Sequence, residues 1–226
     1  MVQWKQKVGD LDINLEQVGA GPHVILCLPG GLGFIEKDFG PILEHFDLTK
    51  FTVVVWDPPG YGKSRPPNRD FSGGAQMYTR DALCASHLMR SLGHRRYSLL
   101  GWDGGANTAC IMASNHPDHV IKVVIWGGHS IFDQVDLRQY QTMDDLDNLS
   151  EEAKQPLVAA YGDEYLQEIW AGLNQSYRDI SAAGGHICRN EAEQITCPTL
   201  ILHGADDKTM PRAHAMWFKN HIANAE

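Results

Sequence analysis

The stretch Leu99–Gly105, LLGWDGG, decides the fold of this 226-residue chain. An apolar run ends there in glycines that flank one polar side chain, Asp103, within the sequence GWDGG at residues 101–105. This spacing, G-x-Nu-x-G, is typical of a nucleophile elbow, a strained turn from a strand into a helix. Gly101 and Gly105 meet its steric demand, since residues two before and two after the nucleophile position must be small. The alternative interpretation is an ordinary strand-to-helix turn in which Asp103 caps the helix.

Apolar runs alternate with helical patterns on both sides of this stretch. A hairpin is predicted over Trp4–Val18, around Gly9 and Asp10, before the alternation begins. The alternation favours a mostly parallel sheet that is covered by helices on both faces. The predicted strands are His23–Leu28, Phe51–Trp56, Tyr97–Leu100, Val120–Trp126 and Thr199–Leu202, and the predicted helices are Asp38–His45, Ala75–Leu92, Ala106–His116 and Pro211–Ile222.

The interval Ser130–Asn190 breaks this rhythm. It is polar, has a helical pattern and is rich in aromatic residues, so we predict an inserted helical cap over residues 130–190. The α/β core would then consist of residues 1–129 and 191–226. The aromatic residues of the interval are Tyr140, Tyr161, Tyr165, Trp170 and Tyr177.

Composition excludes several classes of function. The chain is 43% hydrophobic with a formal net charge of −9, which suits one sizeable core and disfavours nucleic acid or an anionic membrane as partner. No apolar signal core or membrane-spanning run is present, so we expect a cytoplasmic or organellar interior location. No cofactor or metal is expected, since the chain has neither a phosphate-binding glycine motif nor a metal-ligand cluster. The five cysteines are scattered and indicate reduced core thiols: Cys27, Cys84, Cys110, Cys188 and Cys197.

Several motifs, in order along nearly the whole chain, carry a resemblance to a known family. The chain resembles the α/β-hydrolases, and within them the valacyclovir-hydrolase (biphenyl-hydrolase-like) group. The resemblance implies an α/β-hydrolase fold with a cap, and a small-molecule substrate bearing an ester or related bond. The matching stretches are LPGGLG at Leu28–Gly33, DFGP at Asp38–Pro41, FTVVVWDPPGYGKSRPP at Phe51–Pro67, LLGW at Leu99–Trp102, VIWG at Val124–Gly127 and PTLILHGADD at Pro198–Asp207.

The resemblance also implies roles for individual residues. Asp103 occupies the nucleophile position. The backbone amides of Gly31 and Gly104 would form an oxyanion hole, where losing one donor typically costs roughly 100- to 1000-fold in rate. Asp207 falls at the position of the acid that orients a catalytic histidine, with the neighbouring Asp206 as the competing candidate.

Two departures from the family pattern bear on activity. The nucleophile position holds Asp103 instead of serine, and Gly104 stands where the valacyclovir-hydrolase group has an aspartate thought to hold the substrate's ammonium. The amino-acid-ester preference therefore does not carry over directly. The sequence stops at Glu226, before the family's last strand and histidine loop, so we expect a C-terminally truncated fold with the catalytic histidine not present in the chain. Three histidines near the end are expected to be structural or exposed: His203, His214 and His221.

Three hypotheses follow for function. The first is a small-molecule hydrolase by lineage, acting on ester or related bonds, with negligible esterase turnover from these 226 residues. The second is an Asp-nucleophile hydrolase of the dehalogenase or epoxide-hydrolase type, because a carboxylate suits attack on saturated carbon. The third is a non-catalytic binding protein with the same fold. The sequence makes no prediction of oligomeric state.

Overall fold

A computed structural model describes residues 2–140, 145–207 and 209–226. Seven strands form one sheet in the order β1-β2-β4-β3-β5-β6-β7. The β1–β2 and β2–β4 pairs are antiparallel and the other four pairs are parallel, which confirms the predicted fold class. The strands are β1 Gln3–Val8, β2 Leu11–Val18, β3 His23–Leu28, β4 Phe51–Trp56, β5 Tyr97–Trp102, β6 Val120–Trp126 and β7 Thr199–Leu202.

Helices flank the sheet and cover both of its faces. Alternate residues of the central strands enter two different cores: Leu26 and Val54 pack with α2 and α3, whereas Cys27 and Val55 pack with α1 on the opposite face. Burial on both faces explains why the central strands are continuous apolar runs. The helices are α1 Gly40–Leu43, α2 Gln76–Ser91, α3 Gly104–Asn115, α4 Gln134–Tyr140, α5 Glu151–Tyr161, α6 Asp163–Ala182, α7 Arg189–Ala192 and α8 Arg212–His221.

Strand β2 contains a buried polar residue, and the first helical segment begins earlier in the chain than predicted. In β2 the polar Asn14 is buried between apolar residues, because its side-chain amide donates to the Asp57 carboxylate at 2.8 Å. The helix predicted over Asp38–His45 begins earlier, as a π-helical turn over Ile35–Phe39, and continues as α1. Pro41 lies in the first turn of α1, the part of a helix that tolerates the missing proline N–H.

In the described part of the chain, helices α4 to α7 lie between β6 and β7, in the region predicted to be a cap. Residues 141–144 of that region lie outside the described part of the chain, and the cap boundaries at 130 and 190 remain predictions. Across the described residues, no helix combines the length and the apolar character needed to span a membrane.

Candidate active site

The turn between β5 and α3 has the strained geometry of an elbow. Asp103 has φ +49° and ψ −119°, a conformation that non-glycine residues rarely adopt. A Cβ on Gly105 would lie 2.0 Å from the Leu28 carbonyl oxygen, and one on Gly101 would lie 2.5 Å from the Gly105 carbonyl oxygen. Both positions therefore require glycine, for the steric reason the spacing indicates. Asp103 makes no side-chain capping bond to α3, so the interpretation of Asp103 as an ordinary helix cap is wrong.

The Asp103 carboxylate binds one of the two amides that the resemblance implicates. Its Oδ2 accepts the Gly31 N–H at 2.9 Å. Gly104 begins α3 directly after Asp103, and a Cβ built on it would lie 3.5 Å from the Gly31 nitrogen, so the two amides are close together. The side chain is 24% exposed, so its atoms remain reachable from the pocket. Withdrawal from water raises the pKa of Asp103 above its usual range, while the backbone amides beside the carboxylate act in the opposite direction. The Gly31 amide thus holds one oxygen of the nucleophile-position side chain itself.

A pocket of about 320 Å³ opens beside the elbow, at the carboxyl end of the parallel strands. Asp103, Asp207 and Gly31 all line it, so the structure brings these predicted site residues together. Asp207 Oδ1 accepts the N–H groups of Thr209 and Met210 at 2.9 Å each, which orients the carboxylate within its loop. The apolar and aromatic wall consists of Leu32, Trp102, Tyr140, Trp170, Leu173, Tyr177 and Met210.

Two residues beside Asp103 were missed by the sequence reasoning. His129 is 2% exposed, and its Nδ1 lies 4.0 Å from Asp103 Oδ1. Burial, together with the neighbouring His214, lowers the pKa of His129 to about 3, so its imidazole is neutral at pH 7. Lys37 lines the pocket, and its ammonium lies 2.8 Å from Oδ1 of the buried Asp38. The position of His129 just after β6 was the available signal, since β6 neighbours the elbow strand.

The histidines near the end of the chain lie elsewhere. His214 is buried, and its Nε2 is 2.9 Å from Asp136 Oδ1. Its Nδ1 accepts the Ser130 N–H at 3.3 Å, so the ring hydrogen is on Nε2 and is donated to Asp136. His214 therefore ties α8 to α4. His221 is exposed and stacks on Trp217 with 4.1 Å between ring centroids.

The site offers backbone amides and carboxylates but no evident metal centre. Among residues 2–140, 145–207 and 209–226, no group of three or more His, Cys, Asp or Glu side chains is arranged to hold a metal ion. The chemistry available at Asp103 is that of a carboxylate with one oxygen, Oδ2, held by the Gly31 N–H. The other oxygen, Oδ1, lies 4.0 Å from His129 Nδ1.

Comparisons with known proteins agree with the fold. A family model described as the alpha/beta hydrolase fold matches residues 23–177. The chain is 41% identical to serine hydrolase BPHL of Mus musculus over 221 residues, covering 96% of this chain and 75% of that protein. It is 33% identical to a fluoroacetate dehalogenase of Burkholderia sp over 120 residues, covering 52% of this chain and 38% of that protein.

A solved structure gives the same result for the fold. The 2-hydroxy-6-oxo-6-phenylhexa-2,4-dienoate hydrolase of Rhodococcus sp. strain RHA1 superposes with a TM-score of 0.81. The alignment covers 100% of this chain and 88% of that one, at 17% sequence identity. At that identity the likeness concerns the fold alone.

Proposed function

The chain belongs to the alpha/beta hydrolase family, and from that premise we propose that it hydrolyses small molecules with Asp103 as the nucleophile. By descent it is a hydrolase of the valacyclovir-hydrolase type. The observation that carries the proposal is the contact of Asp103 Oδ2 with the Gly31 amide in a strained elbow that opens on the pocket. This contact leaves Oδ1 for a substrate in the pocket.

The identity of the nucleophile selects the bond that is attacked. A carboxylate that attacked an ester carbonyl would have to expel an alkoxide to give an anhydride. The alkoxide is the poorer leaving group, so that adduct reverts. Attack on saturated carbon has no such difficulty, because it gives a stable alkyl ester of the aspartate. The substrate class is therefore an alkyl halide, an epoxide or an alkyl ester cleaved at its saturated carbon. The partial similarity to a protein named fluoroacetate dehalogenase supports this class.

The proposed reaction has two steps. First, a lone pair of Asp103 Oδ1 forms a bond to the substrate carbon, and the leaving group departs with the electron pair of the bond that breaks. Second, water adds to Asp103 Cγ and loses a proton, and negative charge develops on Oδ2. The Gly31 amide already donates to Oδ2, so it stabilises that charge without reorganisation. Collapse of this intermediate breaks the Cγ–Oδ1 bond. The alkoxide leaves with Oδ1 and takes up the proton that the water lost, which releases the alcohol and restores the carboxylate.

The second step needs a base, and the neighbouring histidine is a weak one. His129 is the histidine that the described structure brings to 4.0 Å from Asp103 Oδ1. Burial lowers its pKa to about 3, far from the range near pH 7 that suits a general base. We therefore expect the first step to outpace the second in this chain, so that the alkyl-enzyme ester accumulates.

Accumulation of the ester provides the test. The purified chain is incubated with styrene oxide or 1-bromobutane, digested, and mapped by mass spectrometry. A single alkyl adduct on Asp103 is expected, and it should be absent in Asp103→Asn and retained in the matched control Asp206→Asn. Labelling confined to cysteines or lysines, with Asp103 unmodified, would overturn the proposal and favour a non-catalytic binding protein.

A second assay separates attack on saturated carbon from acyl transfer. Turnover of p-nitrophenyl acetate by the same protein is expected to be negligible, because a carboxylate is a poor nucleophile for acyl transfer. Robust ester turnover that disappears in Asp103→Ala would contradict the assignment of Asp103 to saturated carbon.

A further inference from the structure

A second cavity of about 720 Å³ lies next to the active-site pocket. Its apolar wall comes from Phe34 and from one face of α5. Pro156, Ala159 and Ala160 occupy positions i, i+3 and i+4 of that helix and therefore share a face. Their small size leaves room for a ligand between α5 and the core loops. The volume lies in the range of small-molecule sites, about 300–1,000 Å³.

The rim of this cavity is positively charged in an acidic protein. Of its nine lining residues, Lys37, Lys63 and Arg65 are cations and Glu36 is the one anion, whereas the whole chain has a formal charge of −9. We call this cavity, lined by those four residues with Phe34, Gly62, Pro156, Ala159 and Ala160, the cationic groove. Asp38 lies behind this lining and pairs with Lys37, so these five groups together carry a formal charge of +1, which is complementary to an anionic ligand and opposite in sign to the net charge of the molecule.

Each cation is held in place and keeps capacity for a ligand. The Lys63 ammonium donates to Glu36 Oε1 and to Gln3 Oε1, each at 2.6 Å, which leaves one of its three donors, and its side chain is 59% exposed. An ammonium has three donors, and Lys37 uses one of them on Asp38 at 2.8 Å. The Arg65 guanidinium donates to the Ala160 carbonyl at 3.2 Å and lies 4.4 Å from the centre of the Tyr165 ring. The groove is therefore built by contacts between the core loops and α5.

The groove and the active-site pocket share a wall. Gly31 and Leu32 face the pocket, Phe34 and Glu36 face the groove, and Lys37 lines both. Because Lys37 lines both cavities, an anion held at Lys37 would lie at the boundary between the groove and the pocket.

We propose that the cationic groove binds the carboxylate-bearing apolar end of the substrate and so selects anionic substrates. The ligand class is a monocarboxylate on an aryl or alkyl body, with the anion between Lys37 and Lys63 and the body against Phe34 and α5. The selection of substrates rests on the proposed function, whereas the binding of the anion does not.

The test uses a matched pair of probes, 4-phenylbutyrate and the neutral 4-phenylbutanamide, titrated into the ¹⁵N-labelled chain by NMR. The carboxylate should bind about threefold to tenfold more tightly, the range expected for one or two partly exposed charge contacts. Its shifts should centre on the backbone amides of Phe34, Gly62 and Ala160. The preference should weaken in 0.5 M NaCl, since salt screens exposed charges.

Variants assign the effect to the groove. Lys63→Gln should remove most of the preference for the carboxylate. The matched control is Lys50→Gln, which removes the same charge from an exposed lysine paired with Asp47. Both positions are exposed, and circular dichroism verifies that both variants fold. Equal binding of the two probes, or an equal loss in Lys50→Gln, would overturn the proposal. Groove binding without any Asp103 adduct would leave the groove standing and defeat the nucleophile assignment instead.

Discussion

Replacing Gly105 with alanine tests the steric basis of the elbow. The new Cβ would lie 2.0 Å from the Leu28 carbonyl oxygen, 2.5 Å from the Leu28 carbonyl carbon and 2.6 Å from the Pro29 carbonyl oxygen. All three atoms belong to backbone at the end of β3, where Leu28 is 1% exposed, so no side chain can rotate away. The N-terminus of α3 must therefore move about 1 Å away from β3 to reach van der Waals contact.

This displacement sets the expected magnitude. Inserting one methylene into a packed core costs about 1–3 kcal/mol, and rigid backbone neighbours place Gly105→Ala at about 3 kcal/mol. For a domain of this size, that loss lowers the melting temperature by about 6–12 °C. The same movement carries Asp103 away from the Gly31 amide, so formation of the Asp103 adduct should fall as well.

The assay is thermal and urea unfolding followed by circular dichroism. The matched control is Gly40→Ala, at the start of α1, where φ is −46° and the nearest atom to a new Cβ is 3.7 Å away. This control should stay within about 1 kcal/mol of the unmodified chain, because the helix propensity gained with alanine is offset by the steric restriction on a residue that precedes Pro41. The steric account of the elbow is refuted if Gly105→Ala melts within about 2 °C of the unmodified chain.

Two further predictions concern buried charges. The pKa of His129 is about 3 in the folded chain, below the unfolded value of about 6.5, so the unfolded chain takes up the proton first as pH falls. The free energy of unfolding should therefore drop by about 1.4 kcal/mol per pH unit between roughly pH 6 and pH 3. His129→Gln should flatten this decline when urea unfolding is measured across that pH range. Parallel curves of unfolding free energy against pH for the variant and the unmodified chain would contradict the burial argument. The buried Arg69 guanidinium makes two bonds to the Asp81 carboxylate, at 2.6 and 2.7 Å. Arg69→Met should cost about 3–5 kcal/mol by leaving that carboxylate unpaired. Arg69→Met with Asp81→Leu should recover most of the loss, and a double variant no more stable than the single one would count against a purely electrostatic cause.

The local features of the fold follow from the sequence because each depends on residues close together in the chain. The glycines at 101 and 105 are required by a turn that spans five residues, so their spacing predicts the elbow. The apolar run of β4 is continuous because the strand is covered on both faces, so composition alone indicates a central parallel strand. Gly31 and Asp207 could be assigned beside Asp103 only through the resemblance to a family. The number of residues that separate them along the chain does not give the distance between them in the folded protein.

Other features depend on contacts between distant segments, which only the tertiary structure decides. His129 reaches Asp103 because neighbouring parallel strands end at the same edge of the sheet, and its low pKa arises from burial that sequence pattern does not measure. The cationic groove forms because α5 packs over two loops located about 90 to 120 residues earlier in the chain. The sequence alone predicts that Asp103 stands at a tight turn between glycines. The tertiary structure decides that the turn is strained, which amide holds the carboxylate and which charges lie near it, because these depend on backbone angles and through-space distances.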